Sequence, residues 1–123
     1  MIKPFLIAGI IFAMLGVVLG AFAAHGLKSR ISADMVAVFQ TGVQYQFYHG
    51  LGLILLALVS VHVSSNLITY SGYLMIAGVI CFSGSLYALA LTGIKFFGPI
   101  TPLGGVFFIL GWLLMLVAVV RNS

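Results

Sequence analysis

Four apolar blocks with hardly a charge between them decide what this chain can fold into. The first runs from about Pro4 to Ala24 and the second ends near Val63; the third covers about Leu67 to Leu91 and the fourth about Leu103 to Val120. Each is near the ~20 residues that a helix needs to cross a ~30 Å hydrocarbon core. Only 5% of the 123 residues are charged, and Lys3, Lys28, Arg30, Lys95 and Arg121 face a single acid, Asp34. A soluble domain carries about a quarter charged residues, so this surface must be solvated by lipid. Continuous apolar runs, rather than short alternating segments, exclude a membrane barrel. The fold class is an all-α integral membrane protein, one domain over residues 1–123 built as a four-transmembrane-helix bundle.

The net charge of +4 does not point to nucleic acid. The basic residues stand singly between apolar blocks, whereas a phosphate-tracking face needs them clustered. They read instead as juxtamembrane charges that set orientation. Lys28 and Arg30 lie in loop 1 (Lys28-Ser29-Arg30) and Lys95 in loop 3 (Thr92 to Gly105), on one side; Lys3 and Arg121 lie on the other, with loop 2 (about Ser64 to Asn66). That balance favours loops 1 and 3 in the cytoplasm of a multi-pass protein of a bacterial plasma or inner membrane. Lys3, an apolar run and Ala21-Phe22-Ala23 resemble a signal peptide, but the run is long and carries packing glycines, so it reads as a retained span. The lone Cys81 can form no internal disulfide.

Small residues mark the packing faces. Gly16, Gly20 and Ala24 recur at i,i+4 in the first block, with Gly9 and Ala13 one face over, and Gly84 and Ala88 repeat the spacing in the third. Such faces let helix backbones approach closely in lipid, either within the bundle or between copies in a homo-oligomer. Ser32 is placed to cap the second helix, with Asp34 in its first turn against the helix dipole. That explains Asp34 without catalysis.

The one dense polar run is Thr41-Gly42-Val43-Gln44-Tyr45-Gln46-Phe47-Tyr48-His49-Gly50. The apolar part that follows, Leu51 to Val61, is eleven residues, or ~16 Å of helix. To cross, the span must begin near Gln44, which draws Gln44 to His49 into the membrane's edge. At 100° per residue, Gln40, Thr41, Gln44, Tyr45, Tyr48 and His49 share one half of the helix, and Gln46 is out of place. Polar groups at that depth are expensive against lipid, so this half is expected to face the interior or a wet cavity.

Helices joined by short loops alternate in direction. His25, the Gln44–His49 run, Ser83, Tyr87, Lys95 and a turn-rich stretch from Pro99 to Gly105 therefore fall on one side, and only the termini and a bland loop 2 on the other. The expected polar pocket comprises His25, Gln44, Tyr45, Tyr48, His49 and Tyr87. Two histidines without Cys or carboxylate make a poor metal site, and Ser83 with a His lacks the orienting acid of a hydrolase. No metal, no cofactor and no enzymatic activity are therefore expected. The cluster reads first as helix–helix glue in a structural or partner-binding protein. The alternative is a small ion- or proton-conducting protein, or one that binds a small quinone-like or lipid ligand, because intramembrane ionisable residues are often functional.

Three motifs occur in order along the chain: Gly20-Ala21-Phe22-Ala23-Ala24-His25-Gly26-Leu27, Thr41 to His49, and Gly98-Pro99-Ile100-Thr101-Pro102-Leu103-Gly104-Gly105 with Gly111-Trp112. In these the chain resembles a family catalogued as domain of unknown function 423, whose animal relatives are called transmembrane protein 256. The resemblance implies a small four-helix integral membrane protein of bacterial inner membranes. It implies no agreed activity, so no catalytic residue follows from it.

Overall fold

The computed structural model describes residues 2–121. Among them, four helices are long and apolar enough to cross a membrane: α1 (Lys3–His25), α2 (Ala33–Val59), α3 (Asn66–Thr92) and α4 (Ile100–Arg121). The shortest has 22 residues, about 33 Å, enough for the hydrocarbon core. No strand occurs among the described residues.

The helix ends follow from local chemistry. Ser32 Oγ accepts the backbone N–H of Met35 at 3.2 Å, with Asp34 in the first turn of α2, as expected. Gly93 ends α3 at φ +70°, the left-handed conformation a glycine adopts without strain. Two ends differ from expectation. Helix α2 stops at Val59 rather than near Val63, where the Ser60 hydroxyl turns back to the Ala57 carbonyl and accepts the N–H of Ile2. Helix α4 begins at Ile100 rather than Leu103. Pro102 sits in its first turn, where a missing N–H is not needed. Gly104 and Gly105 are helical, because α4 crosses α3 in backbone contact there: a Cβ on Gly104 would lie 2.7 Å from Phe82 Cα.

Helix α1 packs along α2 and α4 along α3, and the two hairpins join through α2 and the second half of α3. The α1–α2 seam is closest at Gly9 and Gly50, where a Cβ on Gly50 would lie 2.9 Å from both the Gly9 carbonyl and the Ala13 nitrogen. Farther along, Phe47 covers Gly16 and Val43 meets Gly20. The partner of this small-residue face is thus internal. The stripe runs Gly9, Ala13, Gly16, Gly20, Ala23, a spacing of 4-3-4-3 that averages 3.5 residues, the repeat of left-handed helix pairs. A strict i+4 step from Gly20 reaches Ala24, which is exposed, whereas Ala23 is buried. Gly84 and Ala88 also turn away from the bundle. A Cβ on Gly84 would meet nothing within 4 Å, and both residues line an outward cleft of about 260 Å³ with Ile80, Cys81 and Phe97.

Helix α3 is interrupted by a π turn, Val79–Ser83, which the uninterrupted apolar block gave no reason to expect. Its extra residue shifts the helix phase by about 100°. Before the turn, Ser71, Met75 and Gly78 face α4; Ser83 at its end and Tyr87 beyond it face α2. Two apolar clusters close the ends of the bundle. Phe5, Leu53, Leu56, Ala57, Ile68, Met75 and Ala118 form one, and Ala23, Leu27, Phe39 and Ala90 the other. Outward positions on every helix carry large apolar side chains such as Val17, Leu55, Ile80 and Leu116, a surface matched to lipid.

Candidate functional site: a polar layer inside the bundle

Between the two apolar clusters lies a layer of hydrogen-bonded polar side chains from α2, α3 and α4, joined by a backbone carbonyl of α1. Gln46 of α2 is 4% exposed. Its Nε2 donates to the Phe12 carbonyl of α1 at 3.0 Å, and its Oε1 accepts the Tyr87 hydroxyl of α3 at 2.6 Å. One amide therefore ties three helices. Gly42, one turn earlier, makes room for the Tyr87 ring, since a Cβ there would lie 2.8 Å from Tyr87 Cε1. The Gly42 carbonyl accepts the Ser83 hydroxyl at 2.6 Å.

His49, one turn beyond Gln46, is 5% exposed. The Trp112 indole of α4 points its Nε1–H at His49 Nε2, 2.9 Å away. An indole nitrogen only donates, so Nε2 must accept, and the proton resides on Nδ1. Nδ1–H in turn donates to the Tyr45 carbonyl at 2.8 Å. The ring lies flat on Phe108, with centroids 3.6 Å apart and planes 9° from parallel. Gly52 admits the Trp112 ring, and Ser71 adds a bond to the Gly111 carbonyl at 2.6 Å. Among the described residues, no buried side-chain nitrogen or oxygen lacks a partner.

The layer sits deeper than expected. His49 is ten residues from the Val59 end of α2, about 15 Å, half of a ~30 Å core. Phe12, whose carbonyl Gln46 bonds, and Trp112, which bonds His49, likewise fall near the middles of α1 and α4. Counting back ~20 residues from Val59 reaches Gln40, so Gln44 to His49 lie within the span and not at its edge.

The expected pocket does not assemble as one site. His49 and Tyr87 enter the internal layer. His25 is exposed at the end of α1, and Gln44 and Tyr48 lie on the outer face of α2. Tyr45, 38% exposed, borders the layer, with its ring against Phe82 and Phe108. Gln46, Trp112 and Phe108 belong to the layer and were not among the expected site residues. The signal for Gln46 is the 3-4-3-4-3 run Phe39, Gly42, Gln46, His49, Leu53, Leu56, every member of which is buried. Among the described residues, no three His, Cys, Asp or Glu side chains gather into a metal-sized group. The far side is also less bland than expected. A cleft of about 520 Å³ opens at loop 2, lined by Ser60, Ser64, Ser65, Asn66 and Thr69.

Comparison with known proteins places this architecture. The family model described as "Protein of unknown function (DUF423)" matches residues 19–105, which hold Gln46, His49, Ser83 and Tyr87. The chain is similar to the UPF0382 membrane protein YwdK of Bacillus subtilis, 49% identical over 97% of this chain and 98% of the relative. It is also similar to UPF0382 membrane proteins of Staphylococcus epidermidis, at 44% over 97% of each chain, and of Staphylococcus aureus, at 47% over 94% of each. No solved structure matches it. A four-span apolar bundle, a family-model match over most of its length and full-length relatives named as membrane proteins give one conclusion: the chain is a multi-pass membrane protein of the DUF423 family.

Proposed function

We propose that this protein is a non-catalytic structural component of the bacterial plasma membrane that acts by binding partners, copies of itself included. The observation that carries this reading is the use of the internal polar groups. Both ends of the Gln46 amide are engaged with neighbouring helices, and His49 takes the Trp112 indole of α4 at Nε2 while its Nδ1–H is held by the Tyr45 carbonyl of its own helix. A general base needs a free lone pair aimed at a substrate, and a proton relay needs an ionisable group open to the next carrier. His49 offers neither while Trp112 occupies Nε2. Direct bonds between helices are what glue requires, each about 0.6–2 kcal/mol in a membrane.

The test pairs stability with transport. In proteoliposomes the wild type is expected to carry protons no faster than empty vesicles, and His49→Ala is expected to unfold more easily in detergent. A wild-type proton flux that His49→Ala abolishes at unchanged stability would falsify the proposal. Relatives from bacteria support a plasma-membrane location. Lys28, Arg30 and Lys95 on loops 1 and 3, against Lys3 and Arg121 opposite, support loops 1 and 3 in the cytoplasm. Alkaline phosphatase fused after Arg121 is then expected to be active, and fused at Lys95 inactive. The reverse pattern overturns the orientation.

A further inference from the structure

The outer face of α2 carries polar groups within the stretch Ala33–Val59, which is long and apolar enough to cross a membrane. Gln44 and Tyr48 are exposed, Tyr48 53% so, and Tyr45 beside them is 38% exposed with one side of its ring against Phe82 and Phe108. No side-chain hydrogen bond within the described residues engages the Gln44 amide or either tyrosine hydroxyl. The depth follows from the α1–α2 register. Val43 meets Gly20, and Gly20 is five residues before the His25 end of α1, so Gln44 lies about 8 Å inside that end. Tyr48 is a further turn down, level with the polar layer. The three side chains span about 100° of one helix face, and Leu51 and Leu55 continue the face toward loop 2.

An amide has two donors and an acceptor, and acyl chains offer it nothing. Left against lipid, it forfeits the hydrogen bonds it makes in water or in an unfolded chain. The small-residue face of α1 is already spent on α2, so association through that face is closed. We infer that a second copy of this chain docks on the Gln44–Tyr48 face of α2. Copies inserted in the same orientation are related by a two-fold axis along the membrane normal. Their α2 helices then run parallel and place identical residues at identical depth. Gln44 therefore meets its own counterpart, and an amide is self-complementary, donating through Nε2 and accepting through Oε1. A second copy supplies this partner at the right depth through insertion alone. Tyr45 and Tyr48 flank the pair, and Leu51 and Leu55 pack below it. The inference rests on the structural reading above for its purpose, but its test measures assembly and not flux, so either can fail alone.

The test uses the full-length chain in lipid vesicles diluted over a range of protein-to-lipid ratios, with dimer fraction read by single-molecule photobleaching. The wild type is expected to dimerise. Gln44→Leu is expected to weaken the dimer by about 8- to 300-fold, the value of the two symmetric interhelical hydrogen bonds in a membrane, while Gln44→Asn retains more of it. Trp112 fluorescence checks that each variant keeps the native bundle. In a Cys81→Ser background, Gln44→Cys is expected to cross-link two copies under mild oxidation, and Val17→Cys, on the outer face of α1, is not. A wild type that stays monomeric at every ratio overturns the inference. So does a Gln44→Leu dimer as tight as wild type, or cross-linking at Val17 in place of Gln44. A monomer that purifies with a small polar-headed molecule on this face also overturns it.

Discussion

At the scale of single residues, the histidine is defined by what it touches. His49 accepts from Trp112, donates to the Tyr45 carbonyl and stacks on Phe108. Truncation to alanine removes two hydrogen bonds and a ring contact, and leaves the Trp112 indole without its acceptor. We expect a loss of about 1–3 kcal/mol in unfolding free energy, with no gain or loss of transport. That His49 mattered was legible in the sequence, because an ionisable side chain stands out in an apolar chain. Its role was not, because the partner that fixes its tautomer is a tryptophan 63 positions away. His25 shows the converse. Its residue type and its side of the membrane suggested a companion for His49, yet it ends α1 exposed.

At the scale of helices, the repeat decides which face is buried. A helical wheel at 100° per residue gathers Phe39, Gly42, Gln46, His49, Leu53 and Leu56 within about 100° and sets Gln44 about 160° from Gln46. Sending the most polar half inward turned Gln46 outward and Gln44 inward, whereas the structure buries the arc that holds Gln46 and His49 and leaves Gln44 exposed. Reading upward from Leu53 and Leu56 in alternating steps of four and three recovers His49, Gln46 and Gly42. The same repeat separates Ala23 from Ala24. The span count, the Ser32 cap and the glycine-lined α1 face were legible because each rests on local chemistry. The π turn and the early start of α4 were not, because both depend on how α3 and α4 cross. The two kinds of glycine should respond differently. Gly50→Val puts side-chain atoms into the α1 backbone and is expected to destabilise by about 3 kcal/mol or more, or to prevent the hairpin from closing. Gly84→Ala adds a methyl to open space, and is expected to be neutral or slightly stabilising. Thermal unfolding in one detergent compares the pair, and equal effects would contradict the packing described for α1 and α2.

At the scale of the molecule, the chain is two helical hairpins joined across a membrane-buried polar layer. The apolar clusters at either end have little directional preference, since lipid tails compete with them on nearly equal terms. The hydrogen bonds of Gln46, Tyr87, Ser83, His49 and Trp112 do have direction, and they cross between the hairpins. Polar residues that look like one pocket in the sequence thus divide in two: an inner set that bonds the hairpins to each other and an outer set, Gln44 and Tyr48, that faces away from the bundle. The inner set carries the central claim, and its most direct test is a double-mutant cycle on Gln46 and Tyr87. Unfolding free energies in mixed micelles would be measured for Gln46→Leu, Tyr87→Phe and both together. Each single change strands a polar atom inside the bundle and is expected to cost about 1–3 kcal/mol, whereas the double change removes both partners and is expected to cost less than the sum by about 1 kcal/mol. Strictly additive losses, or single changes without effect on stability, would contradict a layer that binds the two hairpins together.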